Sequence, residues 1–514
     1  MENKPLKEKV EVVFEELKKL AGRQTQLGEI YQEIMNSFER LNEPMRVAVV
    51  GRIKAGKSTI VNALLEKEIA PVDVTEATYN ITWLKYGEQE KYTIYFKDGS
   101  SSVCKDSLEK LKEFVLRNDD EKKQGLLRNI RYVEITYPAS LLKVFHIIDT
   151  PGLNSEYGYD SQNTKDFLKQ EEPDAILYLF HKNPGEKDTK EILQHFQVGA
   201  LTMANPINAV GVLTKIDGYW PADPIATGEE VIERLPEEVK RALYAIVPIC
   251  GNLAFGAVGL EEADREALVK LAVMEEADLE YLLSDANAFV RRESLQNKEI
   301  SVNRQDRERL YRKFSLYGIR RACEILKKES DCTCGSLAER LLQCTGLCEL
   351  KETLLSHFGN RAYLIKLLNV ISRIKRVCFE KMQNASGNEH KTICMIYDLI
   401  TNLEDEEHSF REFRILKEYY DKELHFTEEE LEDLKAVTGE YGSSCAERLG
   451  LPAASTIQDM LDAAFEKIVH WREKENALFV KYRTKQAIRV VSESYHRIHY
   501  HVEEAQKHLY FLSD

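Results

Sequence analysis

Apolar positions repeat along this chain with two different periods, and the change from one to the other divides it. Between about Met45 and Leu260, short β-rich runs at 144–148, 175–180 and 208–213 alternate with stretches whose apolar residues fall every three or four positions. That alternation predicts a mainly parallel α/β sheet with crossover helices. The flanks carry only the longer period. Near the start it places Leu6, Val10, Val13, Leu17, Leu20, Leu27, Ile34, Phe38 and Leu41 on one stripe, and near the end Ile488, Val491, Tyr495, Ile498, Val502, Ala505, Leu509 and Leu512. Both are narrow heptad seams suited to helix–helix contact, so the two chain ends are expected to pair beside the α/β domain.

Proline sharpens the division. Twelve of the thirteen prolines lie at or before Pro248, and only Pro452 follows. A ring that lacks an N–H and clashes with the preceding turn is excluded from helix interiors, so the second half can be almost wholly helical. From Ser455 onward there is neither glycine nor proline. A continuous helix there would reach about 85 Å at 1.5 Å per residue, which predicts a stalk or bundle. Thr427 and Glu430, with Phe426 and Leu431 around them, read as a capping box with a hydrophobic staple. The stretch 436–455 reads as a turn-rich link, a plain interhelical loop in the first instance, with Leu449 and Leu451 as the candidates should it dip into a bilayer. The expected organisation is an N-terminal helix over 1–43 packed on the C-terminal helices, a nucleotide domain over 44–260, and a helical stalk over 261–514 with a tip near 436–456.

Composition adjusts this picture only a little. A chain of 514 residues exceeds one ordinary core. A net charge of −15 argues against nucleic acid as the main partner. The charged N-terminus is no secretory signal, and ten irregularly spaced cysteines suit reduced cytosolic thiols. The expected location is therefore the cytoplasm. Residues 242–260 carry no charge, but Pro248, Gly251, Asn252, Gly256 and Gly259 interrupt them, which predicts a buried strand and a loop rather than a membrane span. Cys332, Cys334, Cys344 and Cys348 match no common zinc spacing and read as buried or idle thiols. The basic run 304–328 could meet lipid headgroups or RNA, or be the solvated face of an amphipathic helix.

The chemistry is concentrated in three short motifs. "GRIKAGKST" at 51–59 follows the apolar run 45–50. A phosphate chain needs many N–H donors at close range, and Gly51 and Gly56 let the backbone approach while Ile53, Lys54, Ala55 and Thr59 complete the loop. Lys57 is expected to bridge the terminal phosphates and Ser58 to bind Mg2+. In "FHIIDTPGLNS", an apolar run delivers Asp149 to the metal through water, and Gly152 offers its N–H to the γ-phosphate. In "INAVGVLTKID", Thr214, Lys215 and Asp217 end a strand, and the Asp217 carboxylate can accept from guanine N1–H and N2 together. Adenine offers no such pair of donors, so the nucleotide expected is GTP, with GDP as product. Between the first two motifs a loop threonine should complete the Mg2+ shell; Thr78 is the choice, with Thr75 and Thr82 as competitors. Beyond the third motif, Gly251 and Asn252 should touch the base.

These motifs, followed by a long helical region, resemble the dynamin superfamily and specifically its bacterial dynamin-like members. The resemblance covers the GTPase domain, and the helical remainder in architecture only. It implies an α/β P-loop GTPase domain with a helical stalk. It also implies self-association through the GTPase domain and stalk into a homodimer or higher oligomer, or pairing with a second dynamin-like chain, and membrane remodelling by a cytoplasmic protein peripheral on the inner face of the membrane. Where the family usually has Pro-Thr-Thr, this chain has Glu76-Ala77-Thr78. Leu153 follows Gly152, where small GTPases carry a glutamine that orients water. The position matching Lys54 commonly holds a serine that helps bind a monovalent cation, so the Lys54 ammonium is expected to replace that ion. The catalytic set is thus Lys57, Thr78, Gly152 and Lys54. A soluble switch GTPase docking a protein partner is the alternative, and an RNA-associated GTPase the third class, disfavoured by the acidic balance.

Overall fold

The computed structural model describes residues 6–70, 79–104, 111, 114–116, 125, 127–151, 167, 173–181, 205–295, 298–329, 331–421, 423–477 and 480–513. They divide into two compact units, 46–353 and a second assembled from 1–45 with 354–514. The fold is an α/β unit and an all-helical one, as the two rhythms predict.

In the α/β unit, nine strands form one sheet. They are β1 (Met45–Gly51), β2 (Thr82–Tyr86), β3 (Lys91–Phe96), β4 (Ser101–Cys104), β5 (Ile130–Tyr137), β6 (Phe145–Asp149), β7 (Ala175–His181), β8 (Ala209–Thr214) and β9 (Ile246–Ile249). Their order is β4-β3-β5-β2-β6-β1-β7-β8-β9. The half from β1 through β7 and β8 to β9 is parallel. In the other half β2 runs parallel to β5 but antiparallel to β6, and β3 is antiparallel to both β4 and β5. The central strands β7 and β8 are buried almost throughout, so they read as continuous apolar runs rather than alternating ones.

The helices from 251 to 343 pack on this sheet. Leu253, Ala257, Leu268, Leu310, Phe314, Tyr317, Leu337 and Leu341 share one apolar cluster with Ala48, Val50, Ile176 and Leu213. The α/β unit therefore extends to Thr353, and the boundary expected at 260 is displaced. Lack of proline marks these residues as helical without showing what they pack against. Residues 242–260 form β9 and then the helix Gly251–Val258, where a loop was expected. Several basic residues of the helix Arg304–Lys328 face acids rather than open solvent. Arg309 and Lys313 pair with Asp264, and Arg320 and Lys327 with Glu276. Among the described residues no group of three His, Cys, Asp or Glu side chains could hold a metal, and no helix is long and apolar enough to cross a membrane.

In the helical unit, the N-terminal stripe is split between helices Leu6–Ala21 and Gly28–Asn42. They close a four-helix arrangement with Asn360–Met382 and Gly387–Glu406. Phe14, Leu17, Ile30 and Ile34 meet Leu367, Ile371, Ile374, Ile396 and Ile400. The buried Lys366 caps the end of Gly28–Asn42, its Nζ donating to the carbonyls of Leu41 at 2.8 Å and Glu43 at 2.6 Å. The direct pairing of the two chain ends is thus corrected, because the C-terminal stripe belongs to another core. Ile488, Val491, Tyr495 and Ile498 surround Trp471 with Leu416, Leu434 and Val437. Nor is the last stretch one helix. Ile457–Glu475 stops at Asn476 and packs on Tyr482–Ser513 as a hairpin. The box at Thr427 and Glu430 forms as expected. Leu449 is buried and Leu451 packs on the same core, so neither is free to enter a bilayer.

A buried histidine ties this second core. His408 Nε2 lies 2.7 Å from Ser494 Oγ and 3.4 Å from a Glu412 carboxylate oxygen. Burial holds its pKa below the ordinary 6.5, against the pull of Glu412, and Arg411 and Arg497 lower it further. The unfolded chain therefore takes up this proton at a higher pH than the folded one, and the stability carried by the neutral ring is lost as pH falls below 6.5. Urea midpoints should decline between about pH 7 and about pH 5.5, and His408→Gln should flatten that slope.

Candidate nucleotide site

The phosphate loop is built by close contact followed by two left-handed turns. At the end of β1, a Cβ on Gly51 would lie 2.4 Å from the carbonyl oxygen of Leu179 on β7, so only glycine fits. The loop then takes positive φ at Lys54 (58°) and at Gly56 (87°) before the helix Lys57–Leu65 begins. For Lys54 that conformation costs about 1–2 kcal/mol, and its side chain is exposed. Lys57 turns back over the loop and is buried. Its Nζ donates to the carbonyls of Arg52 at 3.0 Å and Gly51 at 3.4 Å. Burial lowers its pKa to about 8, partly opposed by the Asp149 charge.

Asp149, at the end of β6, is 1% exposed. Ser58 Oγ donates to Asp149 Oδ2 at 2.6 Å, while Oδ1 is buried with no hydrogen-bond partner among the described residues. Burial pushes its pKa up to about 6, opposed by the Ser58 hydrogen bond and the Lys57 charge. Thr150 holds this strand end to β1, its Oγ1 donating to Val49 O at 2.8 Å. Thr82 stands opposite Asp149 in the antiparallel register and is fully buried in β2, so this competitor for the metal shell is part of the sheet, not of a loop. Thr75, Thr78, Gly152 and Leu153 lie outside the described residues.

Beside the phosphate loop is a cavity of about 280 Å³, near the lower end of the ~300–1,000 Å³ range of small-ligand pockets. Ala55, Gly56 and Thr59 line it from the phosphate loop, Thr214, Lys215 and Asp217 from the end of β8, and Gly251 and Asn252 from the segment after β9. Thr214 Oγ1 donates to Phe180 O at 2.9 Å, which joins β8 to β7 at this edge. Lys215 takes a left-handed φ of 59° and starts the short helical turn Ile216–Tyr219 that carries Asp217. A Cβ on Gly251 would touch Ile60 Cδ1 at 3.2 Å, so the helix Gly251–Val258 seats on the phosphate-loop helix. The structure thus gathers motifs separated by more than a hundred residues at the carboxyl ends of neighbouring strands, where open α/β sheets hold their ligands.

One residue here escaped the sequence reading. His181 ends β7 and is half buried. Burial lowers its pKa, and the charges of Lys215, Arg52 and Lys57 add to that. Its only signal was its place at the end of an apolar strand.

Comparison with known proteins finds the following likenesses. Residues 47–216 match the family described as "Dynamin family". Over 459 residues the chain is 28% identical to the isoniazid-induced protein IniC of Mycobacterium tuberculosis, covering 87% of this chain and 88% of that one. It is 37% identical over 116 residues to the bacterial dynamin-like protein of Nostoc punctiforme, covering 21% of this chain and 17% of that one. Among solved structures, a chain titled as part of an oligomerised bacterial dynamin pair aligns at 16% identity and a TM-score of 0.34, covering 98% of this chain and 75% of that one. The family match over 47–216 runs from within β1 to beyond β8, so what this chain shares with the dynamin family of GTPases is its α/β unit.

Proposed function

We propose that this protein hydrolyses GTP to GDP and phosphate in a Mg2+-dependent reaction, coupled to self-association and used at a membrane surface. The observation that carries this reading is that Asp217 lines the same cavity as the phosphate-loop residues Ala55, Gly56 and Thr59. A carboxylate there accepts two hydrogen bonds from guanine and repels the acceptor edge of adenine.

The donor set suits Mg2+. The Ser58 hydroxyl and the Asp149 carboxylate are hard oxygen ligands already 2.6 Å apart, and the second carboxylate oxygen is buried with no partner among the described residues. Bound there, the ion would neutralise charge on the phosphate oxygens. Lys57 adds a buried ammonium whose present acceptors, two loop carbonyls, are replaceable by phosphate oxygens. Thr78 and Gly152 are proposed to complete the metal shell and to sense the γ-phosphate, and Gly251 and Asn252 to border the base. Leu153 cannot orient water, so a second copy of the chain supplies order through the GTPase face. Such an added stabilising group is worth roughly 10³–10⁵ in rate in related systems. Membrane attachment would be peripheral, and a second dynamin-like chain could take the place of the second copy.

Lys57→Ala should abolish nucleotide binding in a fluorescent-nucleotide titration. Asp217→Asn should relax the preference for GTP over ATP by about tenfold or more, since a neutral amide replaces a charged acceptor. Wild-type protein that binds ATP as tightly as GTP would end the assignment.

Because Lys54 projects an ammonium from the exposed bend of the loop, turnover should proceed at comparable rates in potassium, sodium and choline salts. Strong loss in choline would show that a bound monovalent cation, and not Lys54, carries that charge.

Turnover per molecule should rise with protein concentration. The protein should also sediment with anionic liposomes more fully with a non-hydrolysable GTP analogue than without nucleotide. Sedimentation that nucleotide does not alter, over a range of lipid charge, would favour a soluble switch instead.

A further inference from the structure

The two walls of the base cavity are held from behind by residues that do not line it. On the first wall, Asp217 sits on a turn of only four residues, which is closed by the Trp220 N–H donating to Asp217 O at 3.3 Å. The Trp220 indole then reaches away from the cavity, and its Nε1–H donates to Leu283 O at 3.0 Å. On the second wall, the Cys250 N–H, just before Gly251 and Asn252, donates to Thr345 O at 3.0 Å. The next residue, Gly346, has φ 77° and approaches so closely that a Cβ there would lie 2.1 Å from Pro248 O. Neither the 283 nor the 345 segment belongs to a nucleotide motif.

Tyr317 connects these anchors. It is 4% exposed, its ring centroid is 6.2 Å from that of Trp220, and its hydroxyl donates to Cys344 O at 3.4 Å. It stands on the helix Arg304–Lys328 just past a break at Ser315, whose φ 56° and ψ 177° are adopted almost only by glycine. Around that break the helix is keyed to Gly251–Val258 with almost no spare room. A Cβ on Gly256 would fall 2.1 Å from Lys313 O, and one on Gly318 would fall 2.4 Å from Leu253 Cδ1. Backbone contact this close transmits a shift of one helix to the other instead of absorbing it.

We infer that Trp220 and Tyr317 form a brace that fixes the distance between the Asp217 and Asn252 walls, which makes them positioning residues for guanine selectivity. The inference rests on the guanine reading of the cavity. A carboxylate that must accept from two base donors at once tolerates only small displacement, about 0.5 Å, so a short turn needs outside support. The brace supplies it from helices that contribute no atom to the cavity.

The test compares GDP with IDP, whose hypoxanthine lacks the 2-amino group, by titrating full-length protein with each diphosphate. Trp220→Phe keeps a ring against Tyr317 and removes the bond to Leu283 O. The preference for GDP over IDP should fall roughly fivefold, mostly through weaker GDP binding. Tyr317→Leu, which removes the tilted ring contact and the hydroxyl together, should lower the same ratio. If both diphosphates weaken by one common factor, or if thermal midpoints drop while the ratio stays at the wild-type value, the two residues are merely structural and the brace is overturned. Wild-type protein that fails to prefer GDP over IDP would instead overturn the guanine reading, and the brace with it.

Discussion

The Asp149 carboxylate lies where its charge is least favoured, and the surrounding loops are arranged around that cost. Burial raises its pKa to about 6, and only the Ser58 hydroxyl and the Lys57 ammonium work in the opposite direction. Lys57 is destabilised in its turn, with a pKa lowered to about 8. Each buried charge is made tolerable by the other and by loop carbonyls, an arrangement that does not close on itself. One carboxylate oxygen remains without a partner among the described residues. Such a site suits the proposed divalent cation with its polyphosphate, which together would bring both positive and negative charge. The sheet order, the contact of Gly51 with Leu179 and the Thr150 tie all hold this pair in place.

Much of the site was legible because its chemistry is written in contiguous letters. Gly51, Gly56, Lys57 and Ser58 fall within a span of eight positions, and a glycine-spaced loop after an apolar strand admits few other readings. Asp149 and Asp217 each follow an apolar run that ends a strand, so their place at one sheet edge follows from strand direction. Gly251 and Asn252 had a weaker signal, yet they line the same cavity. Trp220 and Tyr317 had none. Their contact joins residues nearly a hundred positions apart, and aromatic side chains in a helix pattern read as ordinary core.

The fold was legible by class and less so by partner. Periodicity marks an apolar face but does not say which other face covers it. The helices between 261 and 353 look like any stalk helix, yet Leu268, Phe314 and Leu337 complete the sheet's core. The N-terminal and C-terminal stripes matched each other in rhythm and nevertheless joined different clusters. The stop at Asn476 was hidden for a related reason, since a helix can end on a capping residue where neither glycine nor proline marks the place.

The helical unit, drawn from both ends of the chain, has a consequence for synthesis. The helices Leu6–Ala21 and Gly28–Asn42 are made before the sheet unit, but their partners in Asn360–Met382 and Gly387–Glu406 come more than three hundred residues later. At about 5–20 residues per second, the isoleucines and leucines of the first pair wait on the order of half a minute without their native cover. The sheet unit, continuous from 46 to 353, is translated entirely within that interval. In a nascent chain these apolar faces therefore stay apart from their native cover until the residues beyond 360 are made.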